Sequence, residues 1–177
     1  MIRWTGFRRF AAVTLAAAVT ACSEPTTAPQ SPAGAPALNE TQGATALLEC
    51  RRSFFDITWG LIGPLGGLLS LDGHTLTVPK GALDQLALIT LRTPSTRFVE
   101  IEARVNGRDH FEFDQPVTVV LDYSRCPDWR IGPAPLTVWQ IDPDTKAFIR
   151  DMGGVDDRAA RKITFSTDHF SGYAIAQ

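Results

Sequence analysis

Near the end of this 177-residue chain, His169 and Ser171 flank Phe170. In an extended strand, residues two apart share a face. The imidazole and the hydroxyl would then project together, with the Phe170–Ser171 peptide bond between them. An N-to-O acyl shift uses such a pair: the serine hydroxyl attacks the preceding carbonyl with help from histidine, and water hydrolyses the ester. Cleavage would leave residues 171–177 as a strand held without a covalent link. The reaction also needs a strained peptide bond, which residue types alone do not display. The competing reading makes Phe170 a core residue at the start of the last strand, with His169 and Ser171 at its rim.

Other residues able to do chemistry are scattered. His74, His110 and His169 occur singly, without the paired spacing of metal ligands. Asp142, Asp144, Asp156 and Asp157 lack the spaced oxygen ligands of a calcium loop and read as turn acids. Gly-x-Ser-x-Gly, phosphate-loop and dinucleotide motifs are missing, so no catalytic residue, metal or cofactor is expected. Trp59, Trp129 and Trp139 would make a sugar-stacking platform if exposed together. Trp139 alternates into an expected core strand, which leaves two for a carbohydrate-binding alternative.

The chain has 17 basic and 19 acidic residues, a formal net charge of −2. That balance argues against a nucleic-acid partner. Residues 1–9 hold three arginines and no acid, and residues 10–20 are an apolar run of Ala, Val, Leu and Thr. Such a run is too short to cross a hydrocarbon core of roughly 30 Å and reads as an export signal. Without Arg3, Arg8 and Arg9, 14 basic residues face the 19 acidic ones, a formal −5. Residues 23–46 are rich in Pro, Ala, Thr and Ser and hold no aromatic residue, so a disordered, semi-extended tether is expected.

Behind the tether, short alternating segments recur every 8–12 residues between turn residues, the rhythm of an all-β sandwich. The pattern predicts strands at 57–61, 67–71, 75–78, 86–91, 98–105, 111–113, 117–123, 136–141, 146–150, 162–166 and 170–176. Asp72-Gly73 and Asn106-Gly107 suit primed hairpin turns, and Asp142-Pro143-Asp144-Thr145 suits a turn preset by proline. Val99, Ile101, Ala103 and Val105 should face the core, with Glu100, Glu102 and Arg104 in solvent. Residues 156–161 are the best place for a short helix or polar turn. No sustained helical period appears elsewhere.

Two resemblances add to this reading. Val19-Thr20-Ala21-Cys22 resembles the bacterial lipobox, in which small residues precede a cysteine that is lipidated and becomes the first residue. The resemblance implies cleavage after Ala21 and anchoring through acyl chains on Cys22. Ser23, in place of Asp, points to the outer membrane. With Cys22 so used, Cys50 and Cys126 remain, an even pair in an oxidising compartment; a disulfide is expected, with two leftover thiols as the alternative. The second resemblance rests on Gly66-Gly67-Leu68 and Gly73-His74-Thr75-Leu76-Thr77-Val78-Pro79-Lys80-Gly81-Ala82. These stretches resemble the ZU-five domain, a β-sandwich found in ankyrins, netrin receptors, zonula occludens proteins and bacterial exported proteins. Gly66, Gly67, Gly73, Leu76, Val78, Pro79, Gly81 and Ala82 carry it. In eukaryotic members the module is a protein-interaction platform, and some relatives cut themselves within His-Phe-Ser.

Together these readings predict a signal peptide over 1–21, a lipidated tether over 22–46 and one β-sandwich over 47–177. The function expected is that of a non-catalytic interaction or structural module in the cell envelope, facing the periplasm or the exterior. Its partner would be an envelope protein or a glycan, and its contact with the membrane would be through Cys22. Self-processing at Phe170-Ser171 and carbohydrate binding stand as alternatives.

Overall fold

A computed structural model describes residues 46–177; the expected signal peptide, Cys22 and the tether up to residue 45 lie outside the described residues. The strands are β1 (Asp56–Ile62), β2 (Gly67–Leu71), β3 (His74–Val78), β4 (Ala87–Thr93), β5 (Glu100–Val105), β6 (Glu112–Asp122), β7 (Thr137–Ile141), β8 (Phe148–Gly153), β9 (Val155–Asp157), β10 (Lys162–His169) and β11 (Gly172–Ala176). One 3₁₀ turn, Asp128–Arg130, follows β6. The strands form a six-stranded sheet, β1-β4-β5-β11-β7-β8, and a five-stranded sheet, β2-β3-β6-β10-β9. The pairings are antiparallel. This is the all-β sandwich that the alternation predicts.

Period-2 patterning builds the core. Ile89 and Leu91 of β4, Ile101 of β5 and Ile175 of β11 face Leu76 and Val78 of β3, Val119 and Leu121 of β6, and Ile163 and Phe165 of β10. Alternate residues of each strand meet across a gap of about 10 Å, the spacing at which two such faces interdigitate. Leu48 is fully buried and its N–H donates to the Ile175 carbonyl at 2.8 Å, which fastens Leu47-Leu48-Glu49-Cys50 to the sandwich.

The β2–β3 hairpin gives the glycine and proline pattern its physical reason. Asp72 and Gly73 both have positive φ (49° and 81°), as a two-residue primed turn requires. At Gly66, φ is +78° and an added Cβ would lie 2.4 Å from the Val78 carbonyl oxygen. No other residue fits that approach. β3 ends at Val78, one residue before Pro79 removes a ladder donor. Leu76, Val78 and Ala82 are buried, and the Gly81 N–H donates to the Pro64 carbonyl at 2.9 Å.

The structure corrects several details. The segments expected at 111–113 and 117–123 are one strand, β6. Between its pairs Glu112↔His169 and Val117↔Thr167 the register slips, so Pro116 sits in an irregularity where no ladder donor is needed. Val155–Asp157 is a strand, and of the segment expected as a short helix or polar turn only residues 158–161 form a turn; Gly153 and Gly154, with φ of 66° and 128°, fold β8 over into β9. Glu100 and Glu102 are buried rather than solvent-facing. β5 lies inside the sheet between β4 and β11. Lys146 and Arg92 reach those carboxylates at 2.6 and 2.7 Å. Of the three expected outward residues only Arg104 stays partly exposed, and it pairs with Asp109 at 2.8 Å.

Candidate functional site

His169, Phe170 and Ser171 lie where the chain leaves β10 in one sheet for β11 in the other. Phe170 turns into the core, edge-on to Phe113 at 4.7 Å, and its N–H donates to the Phe111 carbonyl at 3.0 Å. His169 is buried; its Nδ1 is 2.8 Å from Asp168 Oδ1 and its Nε2 is 3.2 Å from Gln140 Oε1. The hydrogen bond from His169 holds the Asp168 carboxyl below the usual carboxylate range. Gln140 Nε2 in turn donates to Ser171 Oγ at 3.2 Å. Gln140, on β7, therefore stands between the imidazole and the hydroxyl. Nothing in the residue pattern around His169 points to it, because it comes from a strand that only the tertiary fold brings alongside.

Two hydroxyls converge on the His169 carbonyl, Tyr173 at 2.5 Å and Thr167 at 3.0 Å. Burial pushes the Tyr173 phenol up to about 12, so it stays a donor at neutral pH. That carbonyl is one peptide before the bond an acyl shift would break. What the cluster visibly does is tie β10, β7 and β11 together at the crossover.

The other singled-out residues take structural places. His74, buried at the start of β3, accepts the Asp122 N–H on Nδ1 at 3.0 Å, and burial lowers its pKa to about 4. Asp142 Oδ1 accepts the Asp144 and Thr145 N–H groups at 3.0 and 2.7 Å, which closes the β7–β8 turn. Asp156 accepts the Tyr123 hydroxyl at 2.6 Å, and Asp157 accepts the Ala160 N–H at 2.9 Å. Among the described residues no group of three or more His, Cys, Asp or Glu is arranged to hold a metal ion. Trp139 is half-buried on the outer face of β7, edge-on to Phe148 at 5.0 Å, rather than in the core. Trp59, on β1, lies four strand positions away in the same sheet. At about 4.8 Å per step that is roughly 19 Å, too far for a shared platform.

Two surface features are not ordinary. The first is the β1 edge. Ile57, Trp59 and Leu61 alternate onto one exposed face, with Trp59 67 % and Leu61 63 % accessible. Leu61 lies opposite Leu88, which extends the apolar strip onto β4. The Ile57 N–H donates to Asp56 Oδ1 at 2.8 Å. The other sheet edges are blunted. β9 has three residues, β8 carries Arg150 and Asp151 and pairs irregularly, and β2 has five residues. β1 has seven residues in unbroken register, with Asp56 at its first position as its one charged side chain and no Lys, Arg or Pro. Beyond Asp56 it lacks the usual protections of a sheet edge.

The second feature is built by the Cys50–Cys126 disulfide, which is present with the two Cα atoms 4.4 Å apart. It joins Glu49–Arg52 to the segment Pro127–Arg130, and the Cys50 N–H donates to the Arg97 carbonyl at 2.8 Å. A cleft of about 440 Å³ results, lined by Arg51, Arg52, Arg97, Trp129 and Arg130, with Glu49 as its one acid. The basic residues come from three distant segments, so composition hides them. Drawing the disulfide on the sequence is the signal that would have joined Arg51-Arg52 to Trp129-Arg130.

A scan against protein-family models and a search of curated proteins find no match for this chain. By its fold the protein is a two-sheet antiparallel β-sandwich closed by the Cys50–Cys126 disulfide.

Proposed function

We propose that this protein is an envelope-tethered lipoprotein whose ZU-five-like sandwich is a non-catalytic interaction module docking its partner on the β1 edge. In this reading Cys22 is acylated and residues 22–46 hold the domain off an outer membrane, facing the periplasm or the exterior. The observation that carries it is the seven-residue β1 edge with Ile57, Trp59 and Leu61 exposed on one face. An extended segment of a partner protein would add to this edge as a further strand. Main-chain hydrogen bonds would supply affinity, and alternating apolar side chains would read the strip. The lipobox-like Val19-Thr20-Ala21-Cys22 and the Pro-rich stretch behind it support the placement in the envelope.

The test compares wild-type protein with Trp59→Lys in pull-downs from the native envelope. Lysine on an edge strand opposes strand addition. A protein recovered by the wild type and lost with Trp59→Lys supports the reading. Equal recovery by both, or no specific protein with either, overturns it. Sedimentation of the isolated protein covers self-pairing: a dimer abolished by Trp59→Lys would make a second copy the occupant and replace the partner proposed here.

A further inference from the structure

We propose that the arginine-lined cleft beside the disulfide binds a phosphate-bearing sugar. The described residues hold 14 basic and 17 acidic side chains, yet four arginines and a single glutamate line this cleft. Its charge is opposite in sign to that of the domain that carries it. Arg130 approaches Glu49 at 3.5 Å; among the described residues Arg51, Arg52 and Arg97 take part in no ion pair. Arginines that line one cleft with few counter-charges give it a positive potential that favours an anion. Guanidinium groups match the planar, bidentate geometry of phosphate oxygens.

The frame is fixed before any ligand arrives. The disulfide joins one wall to the other, the Ser53 N–H donates to the Thr96 carbonyl at 2.8 Å, and Glu49 bridges Phe98. Arg125, next to Cys126, donates to the carbonyls of Arg51 and Phe98 and so holds those two segments together. A site held this way loses little entropy when it is filled.

The sugar part of the assignment rests on Trp129. Its ring is 75 % exposed, and the Arg130 guanidinium sits over it at 4.4 Å. An exposed indole bordering a cationic cleft offers an apolar face to a sugar ring while the arginines hold the phosphate. The cleft volume of about 440 Å³ lies within the range of small-molecule sites. This inference does not depend on the β1 edge, and either can fail without the other.

Calorimetric titration of the full-length protein at low salt tests it, with glucose 6-phosphate, glucose and inorganic phosphate as probes. Glucose 6-phosphate should bind, inorganic phosphate should bind more weakly, and glucose should give no measurable heat. Arg52→Ala with Arg97→Ala should weaken glucose 6-phosphate by about tenfold or more, the scale of a lost charge-assisted hydrogen bond. Trp129→Ala should bring glucose 6-phosphate down to the level of inorganic phosphate and leave the latter unchanged. Arg150→Ala, on β8, is the control and should change nothing. Glucose 6-phosphate binding no tighter than glucose, or binding indifferent to the arginine substitutions, overturns the proposal. Sedimentation with phosphatidylglycerol vesicles, but not phosphatidylcholine vesicles, in protein that ignores glucose 6-phosphate would assign the cleft to lipid headgroups and overturn the sugar assignment.

Discussion

Lys146 Nζ lies 2.6 Å from Glu100 Oε2, and the Glu100 side chain is 1 % exposed while that of Lys146 is 26 % exposed. The pair fastens the β7–β8 turn over the middle of the six-stranded sheet. The other carboxylate oxygen of Glu100, Oε1, is buried without a hydrogen-bond partner. The ammonium is therefore its main compensation for lost hydration. The two truncations should be unequal. Lys146→Met strands a buried carboxylate and should cost about 2–3 kcal/mol, below the fully buried range because Lys146 is partly hydrated. Glu100→Gln leaves a lysine that can reach solvent and should cost less. Urea unfolding of both variants checks the order; equal losses would mean that the pair is not what holds Glu100 in place.

His74 gives a pH dependence of definite sign. Burial lowers its pKa from 6.5 to about 4. Between those values the unfolded chain takes up a proton that the folded chain refuses, so stability falls as pH falls through this window. The difference amounts to about 3 kcal/mol once pH has dropped below the folded value. His74→Asn keeps an acceptor for the Asp122 N–H and removes the titration. Wild type should therefore lose its advantage over His74→Asn between pH 7 and pH 4, as followed by denaturant midpoints. Parallel pH profiles would show that His74 is not the group responsible.

The Cys50–Cys126 bridge spans 76 residues of sequence. Chain-entropy reasoning puts its worth at up to about 4.5 kcal/mol, less any native strain. Cys50→Ala with Cys126→Ala should lower the denaturant midpoint accordingly. It should also weaken any anion binding in the arginine cleft more than it weakens the β1 edge, because only the cleft has walls joined by the bridge.

Gly66→Ala should be among the most damaging single changes. It combines φ of +78° with a Cβ placed 2.4 Å from a backbone oxygen that belongs to the paired strand. A loss of about 3 kcal/mol or more is expected, since neither the backbone nor the neighbour has room to yield. Thermal melting measures it. Gly107→Ala, where φ is also positive but no atom lies within 4 Å, should cost distinctly less.

Ser171 Oγ receives its hydrogen bond from Gln140, and His169 reaches that serine only through the same amide. A non-catalytic module keeps this peptide bond intact. Mass spectrometry of the denatured protein should show a chain continuous through Phe170-Ser171. A fragment starting at Ser171 would restore self-processing, and Gln140→Ala would then become the substitution to examine.

Much of the sandwich was legible in residue order because period-2 alternation and turn chemistry are local. Asp72-Gly73, Pro79 and Gly66 each act on their own backbone or on the next strand of one hairpin. The strands that eluded the pattern are those whose neighbours, not their composition, make them strands. Val155–Asp157 has two aspartates in three residues and becomes extended by pairing with β10. Glu100 and Glu102 alternate as solvent residues should, and only the closing of β4, β11 and the Lys146 turn around β5 buries them. The pairing of Cys50 with Cys126 followed from cysteine count and the lipobox-like stretch, since a redox compartment is a property of composition. The convergence of Arg51, Arg52, Arg97 and Arg130 on Trp129 did not, nor did the placing of Gln140 between His169 and Ser171. Residue order records which neighbours a side chain has along the chain. Which groups share a cleft depends on contacts between segments far apart in sequence, and those exist only once both sheets have closed on the core.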